Sequence, residues 1–251
     1  MKIFGIIGSN NSISITRNYS DMVIDNVKQY IPNEKHEIVQ LSDITIEMCL
    51  GCRKCFEVGH CPLDDLDDMK IIKEKMLQSD IILFASPVYA HNLSGIMKNF
   101  LDRITYWIHL MRLHNKLGIV VVSTSQSGGQ TVTNYLKMFL TWLGVNVILD
   151  LNYSAMNYSN DDLDKLCSDL NFQIKEKLSH IDFNFRSNKD LESHFQGLKN
   201  VFMSIDPKEL KKNNNNEIRY WVDSGMINQN DFREWLDFQN MTSQPDLRKH
   251  T

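Results

Sequence analysis

Ile81-Ile82-Leu83-Phe84-Ala85-Ser86-Pro87-Val88-Tyr89 is the stretch that decides the fold. Five apolar residues follow one another with no polar alternation, as in a parallel strand covered on both faces. The strand is expected to end at Ser86-Pro87, because proline offers no N–H to a ladder. Lys2–Ile7 is a similar apolar run closed by Gly8, and His36–Leu41, Leu117–Ser123 and Val145–Leu149 read as further strands. Helical periodicity lies between them, over Thr16–Tyr30, Asp64–Leu77, Leu93–Trp107 and Thr131–Leu143, with Pro32 punctuating the first crossover. The acidic start at Asp64 suits the positive end of a helix dipole, and residues 42–63 are expected to form one long loop. Strands alternating with helices predict an α/β protein, a five-stranded parallel sheet between two helical layers. The expected strand order is 2-1-3-4-5, so the loops after Ile7 and Ala85 should face one another across a ligand.

Length and composition narrow the classes. The 251 residues suit one domain over 1–150 with a helical extension over 151–251. That extension reads as helices at Asp161–Leu178 and Leu191–Ile205, then an exposed polar linker, Lys211–Asn216. Beyond the linker, Tyr220, Trp221, Phe232, Trp235 and Phe238 need burial, on the first domain or on a partner subunit. Hydrophobic residues make up 42% and charged ones 23%, ordinary for a chain that buries a core. A net charge of −4 gives no support to a nucleic-acid partner. No apolar run approaches the roughly 20 residues that cross a bilayer, and the N-terminus lacks a signal-peptide cleavage pattern. A cytoplasmic protein with no membrane partner is the expectation. In a reducing compartment, clustered cysteines read as metal-binding or redox-active rather than as a disulfide framework.

The loops carry the chemistry. Gly8-Ser9-Asn10-Asn11-Ser12-Ile13-Ser14-Ile15-Thr16 joins the first strand to the first helix and lacks both the triphosphate-loop and the dinucleotide glycine patterns. Its hydroxyls and amides at a helix start suit a phosphomonoester, although such a turn is often only a cap. After the third strand comes Ser86-Pro87-Val88-Tyr89, followed by Asn92, Ser94, Lys98, Phe100, Asp102 and Arg103. With Gly8, Ser9, Ser14 and Thr16, and with Ser123-Thr124-Ser125-Gln126-Ser127-Gly128-Gly129 after strand four, this pattern resembles the NADPH-dependent FMN reductases of the flavodoxin-like superfamily. The resemblance covers about residues 1–150. It implies FMN, with Ser9, Asn11, Ser14 and Thr16 at the phosphate; Asn11 stands where an arginine is common, which weakens that contact. It places Pro87, Val88, Tyr89 and Asn92 at the isoalloxazine, and Thr124, Ser125 and Gly128 at its pyrimidine edge. Tyr89 has a second reading as a core aromatic. Lys98, Asp102 and Arg103 read at least as well as a salt-bridged surface face of a helix as they do as catalytic groups. His91 reads as an exposed loop residue, and Tyr106–His114 as either a roof over the flavin or a dimer contact. No side chain is assigned a catalytic role.

Cys49, Cys52, Cys55 and Cys61 bring four thiols into thirteen residues with the spacing C-x2-C-x2-C-x5-C. That compactness suits an iron–sulfur cluster, Gly51 and Gly59 permit the tight backbone it needs, and zinc would more usually show two separated pairs. The same spacing resembles the iron–sulfur flavoproteins of this superfamily and implies a [4Fe-4S] cluster. A metal-free structural motif, continued by Gly59, Asp64 and Asp65, is the other reading. Cys167 is expected to be a buried small apolar residue.

The resemblance implies a flavoenzyme that takes hydride from NAD(P)H and passes electrons to a small-molecule acceptor such as a quinone, a flavin, or a nitro or azo compound; the aromatic tail and Tyr106–His114 favour a homodimer or homotetramer. Its rivals are an electron carrier fed by ferredoxin through the cluster, and a flavin-free binding module on the same fold.

Overall fold

The computed structural model describes residues 1–11, 13–31, 33–157, 162–205 and 215–242. Pro32, Asp161 and the linker residues 211–214 lie outside them. The strands are β1 (Lys2–Ile7), β2 (Lys35–Gln40), β3 (Ile81–Tyr89), β4 (Asn92–Leu93), β5 (Leu117–Thr124) and β6 (Asn146–Ser154). The helices are α1 (Ile15–Val27), α2 (Lys54–Val58), α3 (Met69–Leu77), α4 (Gly95–Arg103), α5 (Trp107–Leu110) and α6 (Gly129–Trp142). They continue as α7 (Leu163–Leu178), α8 (Lys189–Met203), α9 (Asn216–Asp223) and α10 (Phe232–Thr242).

The parallel order is β2-β1-β3-β5-β6, with β4 pairing antiparallel to β3 at its far end. Without that two-residue addition, the five parallel strands follow the expected flavodoxin-like order. Successive side chains of a strand point to opposite faces, so one apolar run feeds two cores. Phe4, Ile6, Ile82, Phe84, Val120 and Val122 pack with α3, α4 and α6. Ile3, Ile7, Ile81, Leu83, Ile119 and Val121 pack with α1 and α7. A third cluster joins Met111 to Leu191, Phe195, Trp221, Phe232 and Trp235 of the last three helices.

Several expectations are corrected. β3 runs through Ser86-Pro87 to Tyr89, because β1 ends opposite Ala85 while Pro87 stays in register with Ser123 of β5. Residues 42–63 hold the short α2, and α3 begins only at Met69. The carboxylates before α3 serve ion pairs, Asp64 with Lys73 and both Asp64 and Asp67 with Arg103, and Asp67 also accepts the Met69 N–H at the helix start. Asn215 and Asn216 are not linker: the Asn215 side chain accepts from the Glu217 N–H and caps α9. Cys167 is exposed, because α7 turns Leu166, Leu170, Ile174 and Leu178 inward. Tyr106, Trp107, Leu110, Met111 and Leu113 neither roof a cleft nor offer an open face. All five are buried, filling space between α4, α6 and the C-terminal helices.

Candidate functional site

The loops after β1, β3 and β5 meet at the carboxyl edge of the sheet. The Gly8 N–H donates to the Ala85 carbonyl at 2.8 Å, and the Ser94 hydroxyl donates to the Gly8 carbonyl. Ser94 also caps α4 by accepting from the Met97 N–H at 3.2 Å. The first loop and the α4 start are therefore latched, and a Cβ on Gly8 would come within 2.5 Å of Met97 Cβ. Ser94 was visible in the sequence pattern, yet nothing there distinguished this latch from an ordinary cap.

Between the loops lies a cleft of about 380 Å³, lined by Ser9, Asn11, Ser14, Thr16, Pro87, Val88, Tyr89, Thr124 and Ser125. Ser123, Ile13, Ile15 and Ala155 complete the wall. Asn92 and Gly128 are not part of that lining. Asn92 accepts the Leu93 N–H within the β3–β4 hairpin, and Gly128, at φ +84°, caps α6 against Val88 and His91. Tyr89 is 53% exposed, which removes its reading as a core aromatic. Ser123 was quoted in the motif but given no role; it is buried, and its hydroxyl meets that of Thr16 at 2.7 Å. His91 Nε2 meets the Ser127 hydroxyl at 3.2 Å, bridging the hairpin to the β5–α6 loop.

One end of the cleft offers hydroxyls, an amide side chain and the start of α1, where Ser14 accepts the Arg17 N–H and no acidic residue occupies the first turn. The other end is an apolar wall of Pro87, Val88 and Tyr89 facing the polar Thr124 and Ser125. The lining contains neither acid nor base. A phosphate at the first end and a flat aromatic ring at the second fit that donor set, with no carboxylate to repel the anion.

The cysteines form a second site under α4. Cys49, Cys52, Cys55 and Cys61 share a cavity of about 330 Å³ with Arg53, Asp102 and Arg103. Left-handed backbone at Gly51, Arg53 and Gly59 turns the chain around it. Burial pushes the Cys55 thiol up to about 11, and charge on Cys61, Cys49 and Cys52 adds to that rise. Four thiolates here need a cation to hold them. Among the described residues, no three His, Cys, Asp or Glu side chains converge on one metal ion. A four-iron cluster, if bound, would draw one thiolate from each of these cysteines, and soft thiolates are the donors such a cluster uses.

Arg103 is no surface residue. Its side chain is wholly buried, while Lys98 and Asp102 do form the exposed pair expected of them. Nη1 donates to the Glu47 carbonyl at 2.8 Å and to Asp67; Nη2 donates to Asp64 at 3.1 Å and to Asp67 at 3.3 Å. Burial opposes the charge, but Asp67 and Cys61 raise the pKa, so the guanidinium stays protonated. Its Nε–H is buried without a partner, an omission that ordinarily costs about 1–3 kcal/mol. Lys73, bound to Asp64 at 2.6 Å and lying 5.1 Å from the Tyr106 ring centre, completes the network.

The sheet order and the cleft at its switch point define a flavodoxin-like α/β protein. The chain belongs to the NADPH-dependent FMN reductase family, whose sequence model matches residues 1–160. It is 34% identical over 136 residues to an iron–sulfur flavoprotein of Methanocaldococcus jannaschii, covering 53% of this chain and 67% of that one. It is 33% identical over 149 residues to an iron–sulfur flavoprotein of Archaeoglobus fulgidus, covering 58% and 64%. The matches thus span about two thirds of these relatives' own length. A solved NAD(P)H:quinone oxidoreductase from Methanothermobacter marburgensis shares the fold, with TM-score 0.56 and 13% identity over 75% of this chain and 99% of that one. Among the described residues no helix is long and apolar enough to cross a membrane.

Proposed function

We propose that this protein is an FMN-dependent NAD(P)H oxidoreductase that delivers electrons to a small-molecule acceptor, a quinone, a flavin, or a nitro or azo compound. The supporting observation is the cleft, with a hydroxyl-lined helix start at one end and an apolar wall at the other. FMN, when bound, supplies the two-electron chemistry between NAD(P)H and the acceptor. Ser9, Asn11, Ser14 and Thr16 hold the phosphate with neutral donors. Pro87, Val88 and Tyr89 pack along the ring, and Thr124 and Ser125 meet its polar edge. Asn92 and Gly128, outside the lining, act by shaping the hairpin and the α6 start. The exposed Tyr89 leaves the mouth open to a flat second substrate. No acid or base lines the cleft, so the protein's part is position rather than proton transfer. The same reading takes the protein as a cytoplasmic homodimer or homotetramer, with residues 1–150 as the FMN domain and 151–251 as its helical extension. Anaerobic stopped-flow mixing of the FMN-loaded protein with NADH or NADPH tests the activity. Loss of the flavin's visible absorbance is expected, and bound FMN that stays oxidised overturns the proposal.

A second reading rests on the shared cavity of the four cysteines. It takes the protein as an iron–sulfur flavoprotein, the name its relatives carry, accepting electrons from a ferredoxin. A [4Fe-4S] cluster, when bound by Cys49, Cys52, Cys55 and Cys61, supplies one-electron transfer. Iron and acid-labile sulfide measured after strictly anaerobic purification decide it; their absence overturns this reading and leaves the first untouched.

A further inference from the structure

Among the described residues, the Nε–H of Arg103 is the one buried side-chain nitrogen or oxygen beside the cysteine cavity left without a hydrogen-bond partner. Its two terminal nitrogens are fully engaged by Asp64, Asp67 and the Glu47 carbonyl, which fixes the plane of the guanidinium. Asp67 is as buried as the arginine, so the fork is held by groups that cannot swing out to water. Cys61, the most buried of the four cysteines, lies within reach of the guanidinium and lines the same cavity. A neutral thiol is a poor hydrogen-bond acceptor, whereas a thiolate or an inorganic sulfide is a far better one.

We infer that Arg103 is a positioning residue of the cysteine site, its Nε–H reserved for a sulfur of the group that Cys49, Cys52, Cys55 and Cys61 hold. The inference rests on the iron–sulfur reading and goes beyond it. Asp64 and Asp67 aim the donor, and the donor biases the electron affinity of whatever sulfur it meets. Hydrogen bonds to cluster sulfurs and nearby positive charge favour the reduced state. Lysine at this position keeps the charge and loses the planar fork with its Nε–H.

The test uses full-length protein purified anaerobically and reconstituted with ferrous iron and sulfide. Iron and sulfide content are measured first, then the cluster's reduction potential by mediated titration followed by electron paramagnetic resonance. Arg103→Lys with full iron content is expected to shift the reduction equilibrium about tenfold toward the oxidised form, which is ~59 mV for a one-electron couple. Full iron content with an unchanged potential overturns the inference. Should Arg103→Lys fail to fold, the Arg53→Lys protein, carrying arginine labelled with nitrogen-15 only at Nε, decides the matter. A nitrogen-15 coupling to the reduced cluster in pulsed resonance spectra is expected, and its absence overturns the role of Arg103. A reconstituted native protein that holds no iron overturns instead the reading beneath it.

Discussion

Thr16 Oγ1 and Ser123 Oγ stand 2.7 Å apart, both buried, across 107 positions of sequence. One belongs to the first turn of α1 and the other to the end of β5, so this contact joins two of the three loops beneath the cleft. Ser20 extends the tie by donating to the Thr16 carbonyl at 2.7 Å. The cleft floor is thus set by hydroxyl pairing, which apolar packing alone would not fix to one depth.

Removing either hydroxyl should strand the other. Thr16→Val and Ser123→Ala are each expected to cost about 1–3 kcal/mol, the range for a buried polar group left without its partner. The double variant should cost less than the sum, with a coupling of about 0.5–3 kcal/mol. Urea unfolding of the four proteins without FMN measures this, and strict additivity would show that the pair is not coupled. FMN affinity should fall in both single variants.

Gly128 tests the rim. Its φ of +84° strains any side chain, and a Cβ would press on Val88 Cγ1 at 3.0 Å and His91 Cα at 3.1 Å, so these neighbours would have to give by a few tenths of an ångström. Gly128→Ala should destabilise by at least about 1–2 kcal/mol from backbone strain alone and weaken FMN binding by displacing the hairpin. Gly95→Ala makes the contrast. Nothing lies within 4 Å of its Cβ position, so it should be neutral or stabilise α4 by about 0.5–1 kcal/mol. Equilibrium unfolding with FMN titration separates the two.

The parallel sheet was legible because Ile81–Ala85 and Leu117–Val122 carry apolar side chains for both faces, a local property of the chain. The loops that meet at the cleft were legible as motifs. What Ser123 and Ser94 do there was not, since both are small hydroxyl residues whose partners, Thr16 and Gly8, are remote in sequence. Arg103 misled for the same reason. Its helix neighbours Lys98 and Asp102 form an exposed i,i+4 pair, and only the fold brings Asp64 and Asp67 over the next turn. Tyr106–His114 read as a roof over the flavin or a dimer contact because the helices that cover its apolar residues, α8 to α10, come far later in the chain.

His114 gives a pH dependence. Burial lowers its pKa to about 4, helped by the positive Arg112 and Lys116 and opposed by its hydrogen bond to the Met111 carbonyl. Its ring also packs 4.5 Å from that of Trp235. Between pH near 6.5 and about 4 the unfolded chain takes a proton that the folded one refuses, so this residue's contribution to stability falls as pH drops. Below about 4 both forms are charged and the loss levels off. The upper bound is about 3 kcal/mol at 1.36 kcal/mol per pK unit, and partial exposure of the ring reduces it. Denaturant unfolding across that range should show a shallower slope in His114→Gln. An unchanged slope would assign the effect to other groups, His194 foremost, whose pKa burial also lowers.

Trp221 links the C-terminal helices to the cysteine site. It is wholly buried, lies tilted against the Phe195 and Phe202 rings, and donates its indole N–H to the His109 carbonyl at 2.8 Å. Through α9 it also holds Glu217 against His109 Nδ1 at 2.7 Å, while the His109 ring lies against Phe56 of α2. Trp221→Ala should cost about 3–5 kcal/mol from lost burial and the cavity left behind. The loss should also reach α2, whose half-buried Cys55 sits beside Phe56. Maleimide labelling followed by peptide mass spectrometry is expected to show Cys55 reacting faster in the variant, with the already exposed Cys49 unchanged. Equal acceleration at both cysteines would mean that the whole chain had loosened. No acceleration at Cys55 would mean that α9 packs on α2 without holding it.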